Sequence, residues 1–288
     1  GNGQFAVHAD VFGRDSSDQR VPRYTPVEGG EPLDRSSRVR NSASETRGGS
    51  LGGSLFFGEG SQTGRIGLSV DTYDSDYGVT AEPDVTIKLK RDHVGFASEL
   101  KGLTGALRAL RFNANHTDYQ HREIEGSGEV GTVFSSEGYD FRIEAEHAPI
   151  GPLRGVIGVQ HEDFDFAALG EEAFVPRTRT LKTGLFALEE LPWSGGTLSA
   201  GLRVERANVD SDGDADPAEP KFGASVDRSF TLRSFSLANV YPLTPEWSVS
   251  GTFGSTERAP TYFELYANGV HAATGAYERG NPALSKER

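Results

Sequence analysis

Apolar and polar residues alternate with period two along most of this chain. Over residues 140–146, Phe141, Ile143 and Ala145 point one way; Asp140, Arg142, Glu144 and Glu146 point the other. Over residues 197–206, Leu198, Ala200, Leu202 and Val204 oppose Ser199, Gly201, Arg203 and Glu205. The pattern recurs at 4–11 (Phe5, Val7, Ala9, Val11), at 65–71 (Ile66, Leu68, Val70) and at 84–90 (Val85, Ile87, Leu89). Alternation of this kind predicts β-strands with two unlike faces. The stretches 84–100, 133–147 and 222–241 exceed the ~5–6 residues of an ordinary strand. No helical period persists beyond a turn or two.

The links between strands are ordered. Short links are expected at 58–63, 101–105, 147–153, 192–196 and 242–246. Long polar links are expected between them, at 15–46, 74–84, 119–132, 167–177, 210–221 and 257–284. An up-and-down meander alternates in this way when its two ends face different surroundings, as in outer-membrane barrels. A Greek-key sandwich does not keep such regularity. The expected fold is therefore all-β: an antiparallel up-and-down meander of about eleven long strands. An odd number cannot close an antiparallel barrel, and an open edge is not viable in a membrane. A piece of a longer chain is expected.

Composition narrows the function. The 288 residues include no Cys and no Met. Disulfides, thiol catalysis and Cys-ligated metals are excluded. The net charge of −13 argues against nucleic acid as a partner. Mean hydropathy is −0.48, yet a transmembrane strand needs only ~10 residues with every second one apolar. Trp193 and Trp247 sit beside short links, as an interfacial aromatic girdle requires. Gly48-Gly49-Ser50-Leu51-Gly52 has the hydrolase spacing but opens a strand with no helix after it, so no catalysis is expected. Residues 210–216 resemble half a calcium loop without the sixth-position Gly; the plain reading is a solvated acidic loop.

Residues 255–288, STERAPTYFELYANGVHAATGAYERGNPALSKER, resemble the mid-barrel signature of TonB-dependent outer-membrane receptors, most specifically from Glu264 to Gly280. The runs 47–52, 76–79, 170–176 and 201–205 agree, and together they look most like the zinc-uptake branch of that family. The resemblance implies the first half of a 22-stranded, plug-filled transmembrane barrel. Residues 1–288 would be a partial barrel domain, with plug and later strands lying outside it. It implies the outer membrane of a Gram-negative bacterium, lipid contact, and TonB acting through an N-terminal region not present here. It implies a transporter and not an enzyme, with no catalytic cofactor and Zn²⁺ as cargo. The alternatives are a receptor for a ferric siderophore or other metal chelate, and an adhesin or soluble β-protein without a transport role.

In that branch two barrel positions contribute metal ligands. The resemblance places one at Glu123, in Asp118-Tyr119-Gln120-His121-Arg122-Glu123, and the other at His271, after the Glu-Leu-Tyr-Ala run. A carboxylate oxygen and an imidazole nitrogen suit Zn²⁺, but two ligands need others from elsewhere. His116, Asp118 and His121 would form an outer relay; the plain reading is a polar lumen wall. His271 has its own plain reading, a loop histidine bonding a carbonyl. His8 and Asp10 read as lumen residues. One departure is that residues 74–84 contain no His, so an ion-collecting loop is not expected there.

Overall fold

The structure is a computed structural model. It describes residues 3–28, 30–170, 173–214, 218, 220–271 and 276–288, without the side chains of Glu28, Pro83 and His271. β1 (Phe5–Ser16) leads into a small arm made of β2 (Arg20–Tyr24), β3 (Val27–Glu28), β4 (Glu31–Pro32) and β5 (Ser36–Arg38). Ten further strands follow: β6 (Ser44–Glu59), β7 (Gln62–Val79), β8 (Glu82–Lys101), β9 (Leu107–Ile124), β10 (Val130–His147), β11 (Arg154–Gly170), β12 (Thr178–Trp193), β13 (Gly196–Ser211), β14 (Val226–Pro242) and β15 (Ser248–Ser255). The chain ends with the short helix α1 (Tyr262–Tyr266) and the hairpin β16 (Asn268–His271) with β17 (Ala276–Arg279).

β1 and β6 to β15 form one eleven-stranded sheet in which each strand pairs with its sequence neighbour, the arm aside. Every pairing is antiparallel. The meander and the strand number are those expected from the alternation. β8 has 20 residues, about twice what a bilayer crossing needs.

Two expected links are not loops. β7 runs to Val79 and β8 starts at Glu82; β9 runs to Ile124 and β10 starts at Val130. Residues 74–84 and 119–132 are therefore mostly paired strand, with Asp76 opposite Lys88 and His121 opposite Phe134. Their polar residues fall on both faces, which hides the alternation without weakening the ladder.

Directly paired residues share a face, so the registers sort every side chain. One transverse row reads Phe5, Leu55, Ile66, Ser98, Phe112, Ile143, Val159, Leu185, Val204. Its face is exposed: Leu202, in the next row, is 65% accessible and Val7 77%. The opposite face is charged and compensated. Arg65, Glu99, Arg111 and Glu144 lie directly opposite one another in sequence, and Arg111 Nε donates to Glu99 at 2.8 Å. Arg203 donates to Glu205, and Lys182 Nζ to Glu162 at 3.2 Å. Seven strands carry an apolar face with nothing packed on it and a polar face rich in ion pairs. That is the reverse of a soluble sheet.

Above the apolar band the exposed face carries a different row: Thr72, Asp92, Asp118, Glu137, Asp165, Arg179, Asp210, Asp227. Asp118 stands between Asp92 and Glu137, and like charges directly opposite repel by about 0.2–1 kcal/mol. Asp118→Asn is expected to raise the denaturant midpoint at low salt. The gain should shrink above ~0.5 M NaCl, where the Debye length falls to a few ångströms. An unchanged or lowered midpoint at low salt contradicts the repulsion.

Candidate functional site

The polar face changes character towards the end of the sheet that bears residues 256–288. There Ala207, Val209, Phe230 and Leu232 turn apolar side chains to the charged side, and Ala259, Leu265 and Tyr266 pack on them. Leu265 is fully buried and Tyr266 Oη donates to the Val209 carbonyl at 2.6 Å. Burial pushes the Tyr266 hydroxyl up to about 12. A second cluster joins Phe134, Ala168, Ala173, Phe174, Val175 and Ala267. Tyr262 bridges the two, stacked on Phe166 with centroids 4.7 Å apart. The described residues of this segment, 256–271 and 276–288, are thus folded down onto the polar face rather than extending away from it.

Local chemistry fixes that segment. Glu264 reaches back to the Thr261 N–H at 2.7 Å, the reciprocal arrangement that starts a helix. Arg258 grips both oxygens of Glu264 at 2.8 and 2.9 Å and also holds Glu287 at 2.6 Å. Lys286 pairs with Glu257 at 2.6 Å, and Arg228 Nη2 donates to the Leu284 carbonyl at 2.8 Å. The Phe174 carbonyl accepts from the Asn268 N–H at 2.7 Å, which seats the start of β16.

The sequence candidates fall as follows. Glu123 and His121 lie on the polar face near the top of β9, where Glu123 is opposite Ile87 and Thr132 and His121 is opposite Leu89 and Phe134. Glu123 Oε2 is closed from solvent. The His121 ring stacks on Phe134 at 4.4 Å, and its Nδ1 is 2.9 Å from the Tyr119 hydroxyl. His116 and Asp118 share a face, but it is the exposed one, opposite to that of His121 and Glu123. The sheet therefore divides the three relay candidates between its two sides. His116 Nε2 lies 3.8 Å from Glu137. His271 closes β16 opposite Ala276; its side chain lies outside the described residues. His8 and Asp10 are on the polar face, paired at 2.9 Å. Among the described residues no group of three or more His, Asp or Glu is spaced to hold a metal.

Asp214 has a structural task. Its carboxylate accepts from the Lys221, Phe222 and Gly223 N–H groups at 2.6–2.7 Å, and these donors, Phe222 first, hold its pKa below the usual carboxylate value. Asp216 lies outside the described residues. Ser50 of the hydrolase-like spacing sits mid-strand in β6 and donates to Asp10.

Sequence reasoning missed a row on the polar face in which four aromatic residues, Phe12, Tyr73, Tyr119 and Phe166, stand with Gly48, Arg91 and Ser136. Phe12 and Tyr73 rings are 6.3 Å apart, and Arg91 lies over Tyr73 at 5.8 Å.

The Arg258 guanidinium, then the Thr261 N–H, hold the Glu264 carboxyl at about 2, against an ordinary 4.5. The depressed value means stability that is complete above pH ~4.5 and lost as pH falls towards 2. Hydrogen exchange across residues 258–267 is expected to quicken over that window in the wild type. In Arg258→Leu exchange should already be fast at pH 6. Slow exchange in the variant removes the ion pair as the clasp.

The family description "TonB dependent receptor-like, beta-barrel" matches residues 3–288. Solved structures share the fold. The copper transporter OprC is similar over 93% of this chain and 43% of its own, at TM-score 0.74 and 15% identity. The apoprotein of the FrpB iron transporter (F5-1 variant) from Neisseria meningitidis covers 90% and 42%, at 0.69 and 16%. The Serratia marcescens hemophore receptor HasR, a double mutant in complex with its hemophore HasA and heme, covers 99% and 46%, at 0.67 and 15%. The chain spans less than half the length of each. An open eleven-stranded meander with an apolar outer face and a charged, partly covered inner face is what part of such a barrel looks like, and the chain belongs to the TonB-dependent receptor-like β-barrel family.

Proposed function

We propose that this chain is part of an outer-membrane, TonB-dependent receptor that captures a scarce metal ion and passes it inward, with zinc as first cargo. The exposed apolar face is the lipid side and the ion-paired face is the lumen. The chain breaks and forms no bond; TonB and the inner-membrane proton gradient would drive release through a plug segment. Glu123 and His271 are the proposed wall ligands, with His121 beside them.

One observation carries this reading. Phe134 stacks on His121 and belongs to the same buried cluster as Ala267, four residues before His271. The two ligand-bearing stretches, far apart in sequence, thereby meet on the lumen side of one sheet. A plug carboxylate or imidazole could then complete a four-ligand zinc site.

A second reading, a metal chelate as cargo, is favoured by the aromatic tier. Tyr73 with Arg91 above it, whose guanidinium is held by Asp71 at 2.7 Å, offers a flat π-surface and a fixed guanidinium, which suit a planar chelate and not a bare ion. Calorimetry on the full-length receptor separates the two. Under the first reading Glu123→Ala and His271→Ala each weaken Zn²⁺ binding by about tenfold or more, and Tyr73→Ala leaves it unchanged. Under the second, Tyr73→Ala and Arg91→Ala weaken binding of a ferric chelate while the first pair does not. Zn²⁺ affinity unaltered in both Glu123→Ala and His271→Ala would falsify the ligand assignment.

A further inference from the structure

Tyr262 lies across β12. On one side of that strand its ring stacks on Phe166 at 4.7 Å and meets Phe164 edge-on at 6.4 Å. On the other side it packs against the cluster that holds Val209. Phe166 stands opposite Thr178 and Phe164 opposite Thr180, and Thr180 in turn stands opposite Val209. The ring therefore covers the two threonines. Thr178 is 2% accessible and Thr180 4%, and neither hydroxyl has a hydrogen-bond partner among the described residues. A buried hydroxyl without a partner is costly, so two of them weigh against the covered state.

The covered place is the end of the aromatic row. Tyr119 pairs with Ser136, Ser136 with Phe166 and Phe166 with Thr178, so all four share the polar face. A cavity of about 340 Å³ runs along this stretch, lined among others by Tyr119, Ser136, Gly138 and Phe164. Its carboxylates are engaged: Asp140 accepts from Asn115 at 3.1 Å and Glu162 from Lys182 at 3.2 Å. Tyr262 touches Phe164 and stands where the cavity would otherwise continue onto β12. The helix that carries this ring is held by the Arg258 clasp, whose ion pairs are exposed, and exposed pairs are weak.

We propose that Tyr262 is an internal competitor for a flat ring of the cargo with oxygens at its edge, which displaces it by stacking on Phe166 and accepting from the Thr178 and Thr180 hydroxyls. This rests on the chelate reading above and adds the regulation of that row. The two rings compete for one aromatic face. The cargo ring also satisfies both hydroxyls, which Tyr262 leaves unpaired, so its arrival releases α1. A bare cation offers no ring and leaves Tyr262 in place.

The probe is the neutral tris-maltol complex of Fe³⁺, whose flat rings carry oxygens at their edges, and the protein is the full-length receptor in nanodiscs. Calorimetry reads binding, and hydrogen exchange reads residues 258–267. Tyr262→Ala is expected to bind the probe about fivefold more tightly. T178V/T180V is expected to bind it about tenfold more weakly, and without probe its exchange should slow by a similar factor. Saturating probe should quicken exchange in the wild type. A tyrosine that merely packs the segment gives weaker or unchanged binding in Tyr262→Ala, which overturns the proposal. Unchanged or faster exchange in T178V/T180V overturns it as well. Should Tyr262→Ala not fold, Arg258→Leu loosens the clasp and keeps the ring; it is expected to bind the probe more tightly, and equal or weaker binding counts against the proposal. Tyr73→Ala separates the two levels of failure. A probe bound by neither wild type nor Tyr262→Ala defeats the chelate reading and this proposal with it. A probe lost in Tyr73→Ala, yet indifferent to Tyr262 and to the threonines, defeats this proposal alone.

Discussion

Everything in this structure depends on an unbroken antiparallel register. From β6 to β14 the ladders shift only near strand ends, at Gly78/Val79, Val130/Thr132 and Glu146/His147. Each residue's face is then fixed by its parity within a strand. A slip of one residue in β13 would carry Leu202 onto the charged face and Arg203 onto the exposed one. Neither could be tolerated: Arg203 would lose Gln160 across the sheet, and the apolar face would gain the Arg203–Glu205 ion pair. The two faces enforce the register, and the register keeps the two faces distinct.

With register held constant, the apolar phase inverts along the strands. In β13 the outward residues Leu202 and Val204 give way to inward Ala207 and Val209, with no bulge between them. β14 moves from outward Phe235 and Leu237 to inward Phe230 and Leu232, and β8 from outward Val94 and Phe96 to inward Ile87 and Leu89. β10 moves from outward Phe141 and Ile143 to inward Phe134. Below the inversion the apolar face is bare; above it the inward apolar side chains of β10, β13 and β14 pack in the clusters that hold Leu265, Tyr266 and Ala267. The same alternation therefore serves two solvents. The height at which it inverts marks where the charged face becomes a docking pad for the chain's own C-terminal segment.

This explains what the sequence could disclose. The strands, their number and their order were legible because period-two alternation survives an inversion of phase. The extent of β7 to β10 was not, since beyond the inversion polar residues such as Asp76, Lys88 and Gln120 lie on the face that was apolar below. The division of the relay was available in principle: 116 and 118 have one parity, 121 and 123 the other. What no local pattern could show was the fold-back of α1 and β16, because its contacts join residues more than fifty positions apart, such as Tyr266 with Val209. The ion-pair clasp of Arg258, Glu264 and Glu287 was equally out of reach.

The contrast between the charged rows follows from where each stands. Arg65, Glu99, Arg111 and Glu144 alternate in sign on the inner wall. Each of these charges faces one of opposite sign on the neighbouring strand, the arrangement that is favourable in direct cross-strand pairs. Asp92, Asp118 and Glu137 share one sign on the outer wall above the lipid band, where water and salt screen them. The arrangement leaves the lumen electrically quiet along the ion-paired rows. Higher up on the same face stand Glu123, His121 and Tyr119, with the Tyr119 hydroxyl 2.9 Å from the imidazole. Compensation below and a carboxylate, an imidazole and a phenol above make the two ends of this face chemically unlike.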